Sequence, residues 1–248
     1  MDPNSAAATP GQGQRKTSPW VYAGCGCAVL LVLAALVVLF VVKKVADQGH
    51  KIEQGLADPR VREQRTRELL SYQELPAGYY PSGAISLPFL LDMAFLGDHP
   101  PAPGATHVDI EDHGFIFIKM HWGKIPADAE ARRRMLHGGN GKAPWEQGSG
   151  FRLDSQESLG EGELTAGDAH VVYRAARGDV HMNGRTHRGI TSLLMIECPD
   201  RRIRIGVWIG PDPAPGEPTA AIEKSGTPAD PRAITAFLDH FNLCAGGS

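Results

Sequence analysis

Four side chains able to ligate a metal stand at every second position of one short run: His107, Asp109, Glu111 and His113. On an extended strand alternate side chains share a face, so all four would point the same way. Imidazole with carboxylate suits zinc or a similar ion, which points to metal-assisted hydrolysis. The spacing limits that reading. A strand rises about 3.3 Å per residue, which spreads the set over roughly 20 Å. Two neighbours could share an ion but the quartet could not, and a wet strand face has the same pattern.

Other arrangements are weaker. His181 and His187 flank Asn183-Gly184, a strong two-residue hairpin signal. That loop pairs Met182 with Arg185 and His181 with Thr186, which leaves His187 opposite Val180 on the other face. The run His137 to Gly150 places Gly138, Gly139 and Gly141 before Lys142. A phosphate cradle needs a glycine separated by four residues from its Gly-Lys pair, Ser or Thr after it, and a helix that follows. Leu136 and Ala143 stand at those positions instead, so the run reads as a surface loop in which Trp145 is a candidate partner contact. No G-x-S-x-G elbow, C-x-x-C pair or H-E-x-x-H helix occurs. The residues therefore favour a binding domain over an enzyme, with a membrane-tethered, metal-assisted hydrolase as the alternative, and they call for no cofactor.

What must position these residues begins with Trp20 to Val42, 23 positions without a charge. A helix of that length reaches roughly 35 Å against a hydrocarbon core of about 30 Å. A cleaved signal peptide would have a shorter apolar run ending in small residues; this one ends in Leu39-Phe40-Val41-Val42. Residues 1–18 read as a disordered tail, 19–42 as a single-pass signal-anchor helix, 43–75 as a charged helical stalk, and 76–248 as a globular domain. Basic residues flank the span on both sides, Arg15 and Lys16 before it and Lys43 and Lys44 after it. A long domain translocates largely regardless of charge, so the C-terminal part is expected outside the cytoplasm.

That compartment bears on the cysteines. Cys25 and Cys27 fall inside the span, whereas Cys198 and Cys244 each end an expected element and are expected to form a disulfide. From residue 76 onward the chain holds 16 Lys and Arg against 21 Asp and Glu, a balance of −5. Nucleic-acid binders carry a basic excess, so no nucleic acid is expected; the partners are another envelope protein, a ligand, or a second copy through the anchor.

Within the stalk, Asp58-Pro59 reads as an N-cap with proline at the first helical position, and Glu63 stands four before Arg67. The domain reads as α+β: one antiparallel sheet of about six to eight strands with two helices packed on one face. Strand-like runs include THVDIED, GFIFIKMHW, FRLDS, GELTA and HVVYRAARG. In RRIRIGVWIG, Ile203, Ile205 and Val207 alternate with Arg202, Arg204 and Gly206, which predicts one buried and one wet face. The last helix, near 231–242, spaces Ile234, Phe237, Leu238 and Phe241 on one face.

Overall fold

The computed structural model describes residues 57–248 apart from 88, 103, 106–107, 109, 138–150, 183–184 and 246–248. The expected tail, the anchor over 20–42 and the first part of the stalk lie outside the described residues. Among those described, no helix is long and apolar enough to cross a membrane. Over the described residues the fold is α+β, with one antiparallel sheet of seven strands and three α-helices.

Helix α1 (Pro59–Leu70) leads into a meander of β1 (Tyr80–Leu87), β2 (Leu91–Gly97) and β3 (Gly114–Lys124). Helix α2 (Ala129–His137) precedes a second meander, β4 (Phe151–Ala166), β5 (Ala169–Met182), β6 (Arg185–Glu197) and β7 (Arg202–Pro211). A short 3₁₀ turn (Thr219–Ala221) and helix α3 (Pro231–Leu238) end the fold. The meanders join where β3 pairs with β7, giving the order β1-β2-β3-β7-β6-β5-β4.

Both faces of the sheet are covered, not one. On the first face Ala94, Leu96, Phe115, Phe117, Leu194 and Trp208 meet residues of α1 and α3. On the other, Ile116, Ile118, Val172, Met195 and Val207 meet Ile110, Ile125 and Leu136, the last from α2. Strand β7 is consequently buried along nearly its whole length. Arg204, expected to be wet, is fully buried.

The stalk expectation also changes over its second half. Asp58 caps α1, its carboxylate accepting from Arg60 N at 2.9 Å, and Glu63 pairs with Arg67. Yet α1 is packed against β1 and β2, burying Arg62, Thr66 and Leu70. Thr66 Oγ1 lies 2.8 Å from Arg62 O and 3.3 Å from Gly83 O. The buried stripe is made by a threonine with backbone partners and an arginine stem, so apolar periodicity could not disclose it.

Several strands differ from their expected extents. FRLDS and GELTA are parts of one 16-residue β4, kept in the sheet across irregularities between Asp154 and Glu157 and between Ser158 and Gly160. The edge strand β1 carries a similar shift between Pro81 and Gly83. THVDIED does not form a strand over its described residues; β3 starts at Gly114. The hairpin register around Asn183-Gly184 is the expected one, with Met182 opposite Arg185 and Val180 opposite His187. Helix α3 starts at Pro231 behind its cap Asp230 and buries Ile234, Phe237 and Leu238, while Phe241 is buried beyond its end.

Candidate functional site

Of the four expected ligands, His107 and Asp109 lie outside the described residues. Glu111 and His113 are occupied locally. The backbone amides of Glu111, Asp112 and His113 donate to the Asp98 carboxylate at 3.2, 2.5 and 3.2 Å. His113 Nε2 stands 3.2 Å from Gly78 O, with its ring edge-on to Tyr79. Burial alone would raise the Asp98 pKa, but these three amides and His99 outweigh it and hold the carboxyl at about 2. The run is thus a loop wrapped on an anion, which a strand pattern could not predict. Among the described residues no group of three or more His, Cys, Asp or Glu is arranged to hold a metal. Trp145 and the glycine loop lie outside the described residues.

Cys198 and Cys244 form a disulfide, with S–S 2.03 Å and Cα–Cα 5.4 Å. The bridge ties the chain after α3 to the turn between β6 and β7. In that turn Arg201 N donates to Cys198 O at 2.8 Å, and Ile125 N donates to Arg201 O at 2.9 Å.

Buried charges are matched in two places. Arg177 donates from Nε to Asp212 Oδ2 (2.7 Å), from Nη1 to Glu217 O (2.6 Å) and from Nη2 to Ala214 O (2.7 Å). This organises the proline-rich loop after β7 around one guanidinium. At the opposite end of the sheet, Arg204 grips both oxygens of Asp200 at 2.6 and 2.8 Å. That hydrogen bonding outweighs burial and brings the Asp200 pKa to about 2. Register sets Asp92, Lys119 and Arg204 side by side across β2, β3 and β7. Burial first, and Arg204 second, lower the Lys119 pKa, while Asp92 opposes the shift.

Beside this charged row lies an exposed apolar tip. The β1–β2 turn presents Phe89 (90% exposed) and Leu90 (53%), and the last part of β3 presents Trp122 (59%). Two devices create it. Phe89 adopts a left-handed φ of 68°, a conformation that costs a non-glycine residue free energy and aims its ring off the sheet. In β3, the partners pass from Lys119 opposite Arg204 to Lys124 opposite Arg202, so a four-residue excursion faces Ile203 alone. Bulges of this kind re-aim side chains. The excursion is tied to the turn by His121 N donating to Leu90 O at 2.9 Å and by His121 Nε2 to Asp92 Oδ2 at 3.0 Å. It closes at Gly123, whose φ is 82° and where a Cβ would sit 2.9 Å from Ile203 Cδ1.

Two concave sites among the described residues are small by contrast. A cleft of about 100 Å³ lies where α2 meets β4 and β5, lined by Arg133, His137, Glu161, Glu163 and Arg174 among others. Its acids and bases neutralise one another, with His137 3.1 Å from Glu161. A second, of about 210 Å³, lies against the β4–β5 turn and Cys244. Both fall below the roughly 300–1,000 Å³ typical of small-molecule pockets. Reading the sequence alone missed the tip. Its signal was Leu87-Pro88-Phe89-Leu90-Leu91, a turn built of bulky apolar residues where Gly, Asn or Asp is usual.

Compared with protein-family models, curated proteins and solved structures, the chain matches none.

Proposed function

We propose that this chain is a single-pass membrane protein that displays a non-catalytic contact domain outside the cytoplasm. The anchor is residues 20–42, uncharged over a bilayer-spanning length. The observation that carries the contact role is the tip. A domain that buries both faces of its sheet leaves Phe89, Leu90 and Trp122 in water, and isolated clusters of this composition mark contact sites. The Cys198–Cys244 bridge supports the compartment, because such bonds persist in oxidising surroundings. The domain's counterpart is a component of the same envelope that meets this tip.

The test is a topology reporter fused after Ser248, combined with alkaline carbonate extraction of membranes from the same cells. The expected outcome is a chain that stays in the pellet with its reporter active only outside the cytoplasm. Extraction into the supernatant, or a cytoplasmic reporter, would overturn the reading.

A further inference from the structure

We propose that the Phe89–Leu90–Trp122 tip is a membrane-contact surface that seats in the headgroup region of an anionic bilayer. The inference rests on the membrane-anchored reading and assigns a lipid-contacting surface to it.

The chemistry of the tip comes first. Two aromatics and a leucine protrude on adjoining backbone segments, the β1–β2 turn and the β3 excursion. Tryptophan and other amphipathic or apolar rings favour the membrane–water boundary. Behind them stands a basic collar: exposed Lys124 and Arg201, and half-buried Arg202, with Lys124 opposite Arg202 in register. Arg204 and Lys119 lie below; of the acids, Asp92 adjoins Lys119, Asp200 grips Arg204 and stands 3.9 Å from Arg202, and Asp128 and Glu197 lie in the adjoining segments, Glu197 paired with Arg132. The collar belongs to a region whose overall balance is −5. The charge asymmetry therefore points the tip at an anionic surface.

The shape argues for lipid over protein. A stable protein interface buries about 800 Å² on each partner and is depleted in lysine. Three protruding side chains, with Lys124 beside them, supply far less than that area. Interfacial seating in lipid needs only a few such side chains when another element already holds the domain close. In the membrane-anchored reading that element is residues 20–42.

The test uses the full chain in vesicles of phosphatidylglycerol and phosphatidylcholine, with the phosphatidylcholine acyl chains either brominated or plain. Bromine quenches tryptophan that contacts the bilayer. The chain has four tryptophans. Comparing it with Trp20→Phe isolates the anchor's reporter. In the Trp20→Phe background, comparing Trp122 with Trp122→Phe isolates the tip. The expected result is that bromolipid quenches the Trp122 emission at least about twofold, that Phe89→Ser roughly halves this effect, and that neutral vesicles weaken it. Quenched Trp20 with unquenched Trp122 overturns the tip proposal and leaves the anchor standing; a tip buried against a second copy gives that same result. An unquenched Trp20 removes the anchor reading and the proposal with it.

Discussion

Trp208 and Trp122 lie on neighbouring strands of one sheet, and the protein treats them in opposite ways. Trp208 is 8% exposed, stacked on Phe237 at 4.5 Å with an interplanar angle of 11°. Its Nε1 donates to Tyr79 Oη at 2.6 Å. Phe237 in turn meets Tyr79, Phe115 and Phe241 at centroid distances of 5.0 to 5.3 Å. Trp122 has a bulge, a glycine and an open surface. Strand residues become core where a helix arrives to cover them, as α3 does over Trp208, and become an outward display where the backbone is bent away from every layer. The difference is one of backbone path, since the side chain is the same.

The largest effect should come from breaking the covered site. Trp208→Ala is expected to cost about 3–5 kcal/mol by cavity formation, whereas Trp122→Ala should change stability by less than about 0.5 kcal/mol. Paired urea titrations of the two variants measure this, and equal losses would erase the contrast. Next, removing the disulfide with Cys198→Ser and Cys244→Ser should cost about 4 kcal/mol for a loop of 46 residues. The same titration reads it, and the turn behind the basic collar should gain hydrogen exchange.

Two smaller effects follow from titratable groups. Asp98 has a folded-state pKa depressed to about 2, below its ordinary 3.8. Its contribution is therefore complete above the unfolded value and is lost as pH falls from about 4 to about 2, on the order of 2 kcal/mol. Asp98→Asn should flatten that limb of a stability-versus-pH curve. Tyr79 is the opposite case: burial raises its pKa to about 12, against which the Trp208 hydrogen bond works. The folded state resists deprotonation, so stability present below pH 10 should decline as pH rises towards 12. Tyr79→Phe should remove this decline and cost about 1–3 kcal/mol at neutral pH, because the indole N–H loses its acceptor. An unchanged alkaline limb in that variant would show that the hydroxyl is not the titrating group.

The legibility of the sequence followed its periodicity. The α+β class, the paired Cys198 and Cys244, the Asn183-Gly184 register and the cap at Asp58 could be read directly. Three misreadings come from polar groups whose burial or pairing the apolar pattern does not show. Arg204 looked wet because alternation cannot announce that Asp200, four residues back, will neutralise it inside the core. Helix α1 looked like a solvated stalk because two of the three residues it buries, Arg62 and Thr66, are polar types, with Leu70 the only apolar one. The metal-like quartet looked like a strand because nothing local shows the distant Asp98 that gathers its described amides. The tip was hidden for a different reason. An apolar run reads as core until its turn geometry is known, and left-handed Phe89 turns that run outward.

For a chain anchored in a membrane, as proposed above, the two edges of the sheet bear on how neighbouring copies meet. Confinement to a plane raises encounters between copies, and an open strand edge is a template for unwanted pairing. Here β1 has a proline and a register shift, and β4 has two shifts and exposed Glu157, Glu161 and Glu163. An edge that is kinked at one side and anionic at the other has no straight rail on which a neighbour can zip. Copies held side by side would therefore be expected to remain separate particles and not to polymerise through their sheets.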